Sequence, residues 1–224
     1  MASPSGHRAY DSRARRERAA ATRRAILDAA EDEFGRSGYV ATSIVAIARS
    51  AGVAPETVYA SFRNKRGVLE ALVGRAIAGD DEPVALLERP WVASLAAEPD
   101  RDRRIGILAR EGAAILARRA GIDEMVAQAA GADAAAAELL ETGRRERWAG
   151  QRRLLELVLG PRSGARDPDL DLDRAADGLF AIGSPEVYRL LVAGRGWTHN
   201  EFEAWYASAI RSLVIGGSGL PRGG

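Results

Sequence analysis

The stretch "ARSAGVAPETVYASFRNK", residues 48–65, joins the end of one short amphipathic segment to another. Ahead of it, Thr42 and Ser43 precede a helical period whose inward face is Ile44, Ile47, Ala48 and Ala51. Gly52 breaks that period, and a glycine reaches the positive φ a tight turn needs. Pro55 suits the first turn of a following helix, and Glu56 suits the positive end of its dipole. Val58 and Phe62, four residues apart, then turn inward together. Two short helices joined by a glycine-bearing turn form a helix–turn–helix unit. Ala48 is small enough for the pair to cross closely. With the inner face used, Pro55, Glu56, Thr57, Ala60 and Ser61 face outward, with Tyr59 alongside. Small or hydrogen-bonding groups of this kind suit a helix that enters the major groove. Tyr59 and Lys65 are placed to reach phosphates, and Ser43 adds a hydroxyl and a helix-terminus amide. The plainer alternative is a three-helix bundle in which Tyr59 is amphipathic filler and Lys65 a solvated charge.

Outward from this core the chain stays helical. Ile26, Leu27, Ala30 and Phe34 recur at three- and four-residue steps, with Thr22 as the expected N-cap and Gly35 and Gly38 marking the end. Beyond "RNKRG" a longer helix carries Val68, Leu69, Leu72, Val73 and Ala76 and ends at "AGDDEP", residues 78–83. Further helices are expected over 91–97, 101–119, 122–130, 132–159, 170–183, 185–194 and 199–215. The breaks between them are "EPDRDRR", "AGI", "GPRSGARDPD", "GSPE" and "GRGWT". Ser184 before Pro185 reads as a cap and first turn, and Thr198 with Glu201 as a capping box. No alternating strand pattern of useful length occurs. The fold class is therefore all-α, with an N-terminal three-helix helix–turn–helix domain followed by a larger helical domain. The expected divisions are a disordered basic arm at 1–17, the helix–turn–helix domain at 18–66, a ligand-binding and dimerisation body at 67–216 and a flexible tail at 217–224.

Charge supports an anionic partner for the front of the chain. Residues 1–66 carry 12 Arg/Lys against 7 Asp/Glu, whereas the remaining residues carry 20 against 24. A basic front on a mildly acidic body fits nucleic acid. Of the 32 cationic residues only Lys65 is lysine, a bias that also occurs in GC-rich genomes. The absence of cysteine excludes disulfides and thiolate–metal sites. With only His7 and His199, a histidine metal site or catalytic triad within one chain is not expected, and neither is a cofactor. The N-terminus lacks the apolar stretch of a secretory signal, and no run approaches the roughly 18 apolar residues of a membrane span. The expectation is a soluble cytoplasmic protein that is not an enzyme. A helical enzyme would have to use acids such as Asp123 and Glu124, or Asp177 and Glu186. No phosphate-cradling loop of the P-loop kind accompanies them.

"ILDAAEDEFGRSGYVATSIVAIARSAGVAPETVYASFRNKRGVLEALV", residues 26–73, resembles the DNA-binding domain of the TetR family of transcriptional regulators. The resemblance runs without a gap through Ile26, Ala29, Ala30, Phe34, Gly38, Tyr39, Thr42, Ile47, Ala48, Ala51, Gly52, Val53, Thr57, Tyr59, Phe62, Lys65 and Leu69. It implies a homodimeric repressor of an inverted-repeat operator in double-stranded DNA, released by a small-molecule effector. By position, the family's phosphate and base contacts fall on Ser43, Val45, Pro55, Glu56, Thr57, Tyr59, Ala60, Ser61 and Lys65. Three positions depart from the pattern. Ala46 replaces a frequent acid, Ala54 a frequent capping serine, and Ser61 a frequent aromatic or histidine. Each missing cap costs about 1 kcal/mol. An alternative in keeping with these losses is a ligand-binding protein that no longer reads DNA.

Behind residue 75 the resemblance thins, yet "SPEVYRLLVAGRGWTHNEFEAWYASAI" falls where the family places its last two helices. In a dimer these pack against their symmetry mates. Leu179, Ile182, Tyr188, Leu191, Trp205, Ile210 and Leu213 are the expected interface residues. The implied ligand pocket has Trp91, Leu108, Ile115, Met125, Trp148 and Phe180 as candidate liners. The run "RRERW", residues 144–148, reads as a solvated face with some capacity for an anion.

Overall fold

The computed structural model describes residues 5–80, 84–160 and 170–215, of which 5–13 and 215 by backbone alone. The described residues form helices and no strands: α1 Ser5–Ala41, α2 Ile44–Ser50, α3 Pro55–Phe62, α4 Lys65–Ala78, a 3-10 turn Leu86–Glu88, α5 Pro90–Ala97, α6 Arg101–Ala130, α7 Ala134–Leu159, α8 Leu172–Ile182, α9 Pro185–Arg195 and α10 His199–Ile215. The all-α expectation is met. The described residues fall into two compact units, one within Met1–Arg75 and Glu124–Ala137, the other within Ala76–Asp123 and Glu138–Gly224.

In the first unit α1 begins at Ser5, well ahead of Thr22. Residues 14–25 explain the difference, because their alanines, arginines and single glutamate are strong helix formers with no stop signal among them. An arm that extends to residue 17 without structure is thus replaced by helix from Ser5, and Thr22 is an interior position. The expected division at residue 66 moves as well. Val68, Leu69 and Leu72 of α4 are buried, and Arg75 binds Asp28 at 2.5 Å and Glu31 at 2.7 Å on α1. These contacts keep α4 in the first unit as far as Arg75. The late part of α6 joins the same unit, with the Met125 methyl 3.5 Å from where a Cβ on Gly35 would stand.

The second unit is built around a core of Leu95, Ile105, Leu155, Leu179, Phe202 and Ile210, all at most 2 % exposed. The break expected at "AGI" does not occur, and α6 runs through Gly121. A lone interior glycine costs about 1 kcal/mol. Here it is bridged by Arg119 and Asp123, whose i,i+4 ion pair at 2.8 Å spans the glycine. Other boundaries follow their local chemistry. Ser184 accepts from the Val187 amide at 3.2 Å and starts α9. At α10 the Thr198 amide donates to Glu201 at 2.7 Å, while the Glu201 amide donates to the Thr198 hydroxyl at 3.2 Å. These bonds hold the Glu201 carboxyl below its usual pKa. We expect Thr198→Ala to cost about 1 kcal/mol; a urea titration of the full chain checks it, and an unchanged midpoint would deny the box any share in stability. The tail at 217–224 lies outside the described residues. Among the described residues no helix is long and apolar enough to cross a membrane.

Candidate nucleic-acid interface and ligand site

The first unit shapes one polar, exposed helix. Gly38 takes φ 76° and ends the regular part of α1. Thr42, only 4 % exposed, sets its single hydroxyl donor between the carbonyls of Gly38 at 2.8 Å and Glu33 at 3.1 Å. Ser43 then caps α2 by accepting from the Ala46 amide at 3.1 Å. Ile44, Ile47 and Ala48 of α2 and Val58 and Phe62 of α3 are buried, as their spacing requires. Between the helices Gly52 takes φ 67°, and the Val53 amide returns to the Ala48 carbonyl at 3.0 Å. Ala54 provides no side-chain cap, so α3 starts on Pro55 and Glu56 alone.

The outward residues sort by exposure. Ser43, Val45, Glu56, Tyr59, Ala60 and Ser61 are exposed, and Pro55, Thr57 and Lys65 are half-buried. Tyr59 is 51 % exposed, so its ring and hydroxyl stand clear of the unit. Arg23 of α1 lies over the Phe62 ring at 4.3 Å and donates to the Ser61 carbonyl at 3.3 Å. It fixes the end of α3 while keeping a cation beside it. Lys65 differs from its expected role. Its ammonium donates to the carbonyls of Tyr39 at 2.8 Å, Thr42 at 3.0 Å and Val40 at 3.3 Å, and lies 4.3 Å from the Tyr39 ring centre. Burial lowers its pKa, with Asp133 acting in the opposite direction. Lys65 is therefore a brace for the α1–α2 turn, and a phosphate would have to compete with three carbonyls for it. Val40, 64 % exposed, was not foreseen; its only signal is a large apolar residue at a helix end with no inward partner in the pattern.

Of the expected pocket residues, Trp91, Leu108 and Trp148 belong to one cluster. Leu108 is buried in the core at 3 %, with Trp91 and Trp148 packed half-buried at its edge. Ile115 is half-buried on α6. Met125 falls in the first unit, because α6 passes from one unit into the other along its length. Trp148 donates its indole N–H to Asp177 at 2.9 Å. Phe180 lies under the Arg147 guanidinium at 3.8 Å. Arg147 corrects the reading of "RRERW" as a solvated face. Its Nη1 turns inward to the carbonyls of Phe180 at 2.8 Å and Gly183 at 3.0 Å, and burial lowers its pKa.

The expected interface residues also divide. Leu179 and Ile210 are fully buried and Tyr188 is 8 % exposed within the single chain. These three are core, since α8 turns Ala175, Ala176 and Leu179 inward together and Tyr188 bonds His199 at 3.1 Å while packing edge-on to Phe202. Ile182, Leu191, Trp205 and Leu213 are half-buried at the core's edge. Leu190, 62 % exposed, was missed. It stands two residues beyond the inward Tyr188, roughly 200° around the helix, so an outward leucine was legible there.

With this geometry in hand, residues 26–72 match the family model for bacterial regulatory proteins of the tetR family. An uncharacterized HTH-type transcriptional regulator of Bacillus subtilis, YvkB, is 41% identical over 54 residues, 24% of this chain and 29% of the relative. The match thus spans less than a third of that relative's length. Among solved structures, the fatty acid degradation regulator FadR from Bacillus halodurans superimposes with TM-score 0.63 at 21% identity, covering 87% of this chain and 95% of its own. The regulator FadR from Bacillus subtilis in complex with stearoyl-CoA gives TM-score 0.63 at 21% identity, covering 86% and 97%.

Proposed function

The chain is a regulator of the TetR family by its DNA-binding domain, and from that premise we propose that it is a repressor that binds an inverted-repeat operator as a homodimer and leaves it when a small molecule occupies the helical body. The observation that carries the proposal is the outward face of α3, where Tyr59, Ala60, Ser61 and Glu56 are exposed, as is Ser43 at the capped start of α2. Phosphate contacts would supply affinity, and residues 55–61 the choice of sequence. One short recognition helix reads few base pairs; two of them about 34 Å apart on a duplex multiply the discrimination. The exposed Leu190 and the half-buried Leu191 of α9 support a partner face on the last two helices.

Release requires the ligand to favour a form in which α4 is displaced. Arg118 of α6 donates to the carbonyls of Ala76 at 3.0 Å and Ile77 at 3.5 Å at the end of α4, which supports α6 as the lever. The fatty acid regulators among the structural neighbours, one holding stearoyl-CoA, make stearoyl-CoA the first effector to try.

The test begins with selection of bound fragments from random DNA and sedimentation of the complex. Tyr59→Ala should weaken binding to the selected palindrome about tenfold, within the range for a lost phosphate or base contact, with the melting temperature unchanged. Lys65→Ala should lower both affinity and melting temperature, because it also removes the brace. A palindrome bound equally by wild type and Tyr59→Ala would show that another surface reads DNA.

A further inference from the structure

The second unit holds a largely buried polar nest, drawn from α6, α7 and α10 with the exposed Glu186 of α9 at its edge, that the DNA-binding reading does not use. Arg119 and Asp123 of α6 form an ion pair at 2.8 Å with side chains 11% and 15% exposed. Arg147 of α7 sits within their electrostatic reach, as does Glu186 of α9. One turn along α7, Gln151 donates Nε2 to the same Gly183 carbonyl that Arg147 binds, at 2.9 Å. The Tyr206 hydroxyl of α10 abuts Gly183, where an added Cβ would strike it and stand 2.9 Å from Gln151 Nε2. Gly112 clears the other side, its Cβ position lying 2.9 Å from the Tyr206 ring.

Two atoms of this nest are buried without a hydrogen-bond partner, Nε of Arg119 and Oε1 of Gln151. The Gln151 amide is oriented by its bond to Gly183, so Oε1 is an acceptor with nothing to accept. The Tyr206 hydroxyl lies beside them at Gly183 and is not one of these buried orphans. Buried polar atoms are ordinarily satisfied, and each orphan costs about 1–3 kcal/mol. An open donor on α6 and an open acceptor on α7, linked through Arg147, describe the complement they lack, an acceptor and a donor.

Arg119 is already paired with Asp123, and Arg147 has the exposed Glu186 within electrostatic reach. A further buried charge would stand uncompensated, at high cost. Burial raises the Asp123 pKa in spite of Arg119, a sign that added negative charge is unwelcome here.

We propose that this nest reads the polar head of the effector, and that the head is uncharged and carries both a hydrogen-bond acceptor and a donor, as a carboxamide does. The proposal rests on the reading of the helical body as ligand-binding and is independent of the operator. Arg119 Nε would donate to the carbonyl and Gln151 Oε1 accept from the N–H, with the Tyr206 hydroxyl as an adjustable third contact. A free amide and the amide-bearing arm of a coenzyme A thioester share this chemistry.

The test is calorimetric titration of the full chain, without DNA, with hexanamide, hexanoate, hexylammonium and pantetheine. The first three share one apolar tail and differ only in the head. Hexanamide should bind about tenfold tighter than either charged probe, the factor expected for one satisfied buried partner. Gln151→Met removes the acceptor; Arg119→Lys removes the Nε donor but keeps the charge beside Asp123. Each should cost hexanamide about tenfold and leave the charged probes unchanged. Pantetheine binding that is lost in the same variants would support the nest with a coenzyme A arm as its source. Tighter binding of hexanoate or hexylammonium, equal hexanamide binding by wild type and both variants, or no binding of any probe would overturn the proposal. Because no DNA is present, failure here leaves the operator reading untouched, and failure of operator binding leaves this result standing.

Discussion

Gly67→Ala should cost about 3 kcal/mol and reduce operator binding about a hundredfold. The residue stands in the first turn of α4, just past the turn that follows α3. A Cβ built on its backbone falls on the carbonyl oxygen of Phe62, 3.1 Å from the carbonyl carbon and 3.7 Å from the Asn64 side-chain oxygen. These are mostly main-chain atoms, so no rotamer change relieves the clash. Phe62 is buried, and Arg63 after it is held at φ 66° with its amide bonded to the Tyr59 carbonyl at 2.8 Å. The Gly67 amide itself donates to the Asn64 side-chain oxygen at 2.8 Å. The added methyl must open this turn. Doing so draws Phe62 from its pocket and turns the outward face of α3 away from its set direction. Overpacking costs typically about 1–3 kcal/mol, and the upper end applies where backbone cannot yield. Separately from that folding cost, misdirecting α3 forfeits roughly 3 kcal/mol of binding free energy, about a hundredfold in affinity. Thermal melting with a binding titration on the selected palindrome checks both. Wild-type affinity in Gly67→Ala would mean that the setting of α3 by this turn does not govern DNA recognition.

The helix–turn–helix was legible because its determinants are close together along the chain. The Ser43 cap, the Gly52 turn, Pro55 and the inward Val58 and Phe62 all act within a few residues of each other, and each occupies its expected place. The role of Lys65 was not legible, since its three carbonyl partners lie more than twenty residues back. A charge near a DNA-facing helix looks the same in sequence whether it points out or braces a turn. The helical body hid more. Apolar periodicity marks an inward face but not whose interior it enters, so Leu179 and Ile210, at home in their own subunit, read the same as residues awaiting a partner. The nest of Arg119, Asp123, Arg147, Gln151 and Tyr206 was invisible for the same reason. Its members are scattered from α6 to α10, and each alone resembles a solvated helix residue. Arg147 sits in an arginine-rich run whose other members Arg144 and Arg145 are indeed exposed.

Phe202→Ala should be the most damaging single change in the second unit, at about 3–5 kcal/mol, the range for truncating a buried phenylalanine. Its ring is fully buried. It packs edge-on to Tyr188 at 4.7 Å, lies 5.5 Å from Trp205 and stacks on Tyr206 at 5.7 Å. Aromatic contacts of this geometry add to the plain cost of lost burial. For a chain of this size each kcal/mol lowers the melting temperature by roughly 2–4 °C, so a drop of roughly 10 °C is expected. Tyr206→Phe provides the contrast. It keeps the ring that Phe202 stacks on and removes only a hydroxyl whose pKa burial raises strongly. Without ligand it should melt within a degree or two of wild type, because the packed ring is kept and the hydroxyl is not one of the buried orphans. The two variants therefore separate the packing of this aromatic cluster from the polar chemistry beside it. If Phe202→Ala melts as wild type does, the cluster is not the keystone of the body. If Tyr206→Phe falls as far as Phe202→Ala, the hydroxyl is already committed to a partner inside the protein and is not held open for a ligand.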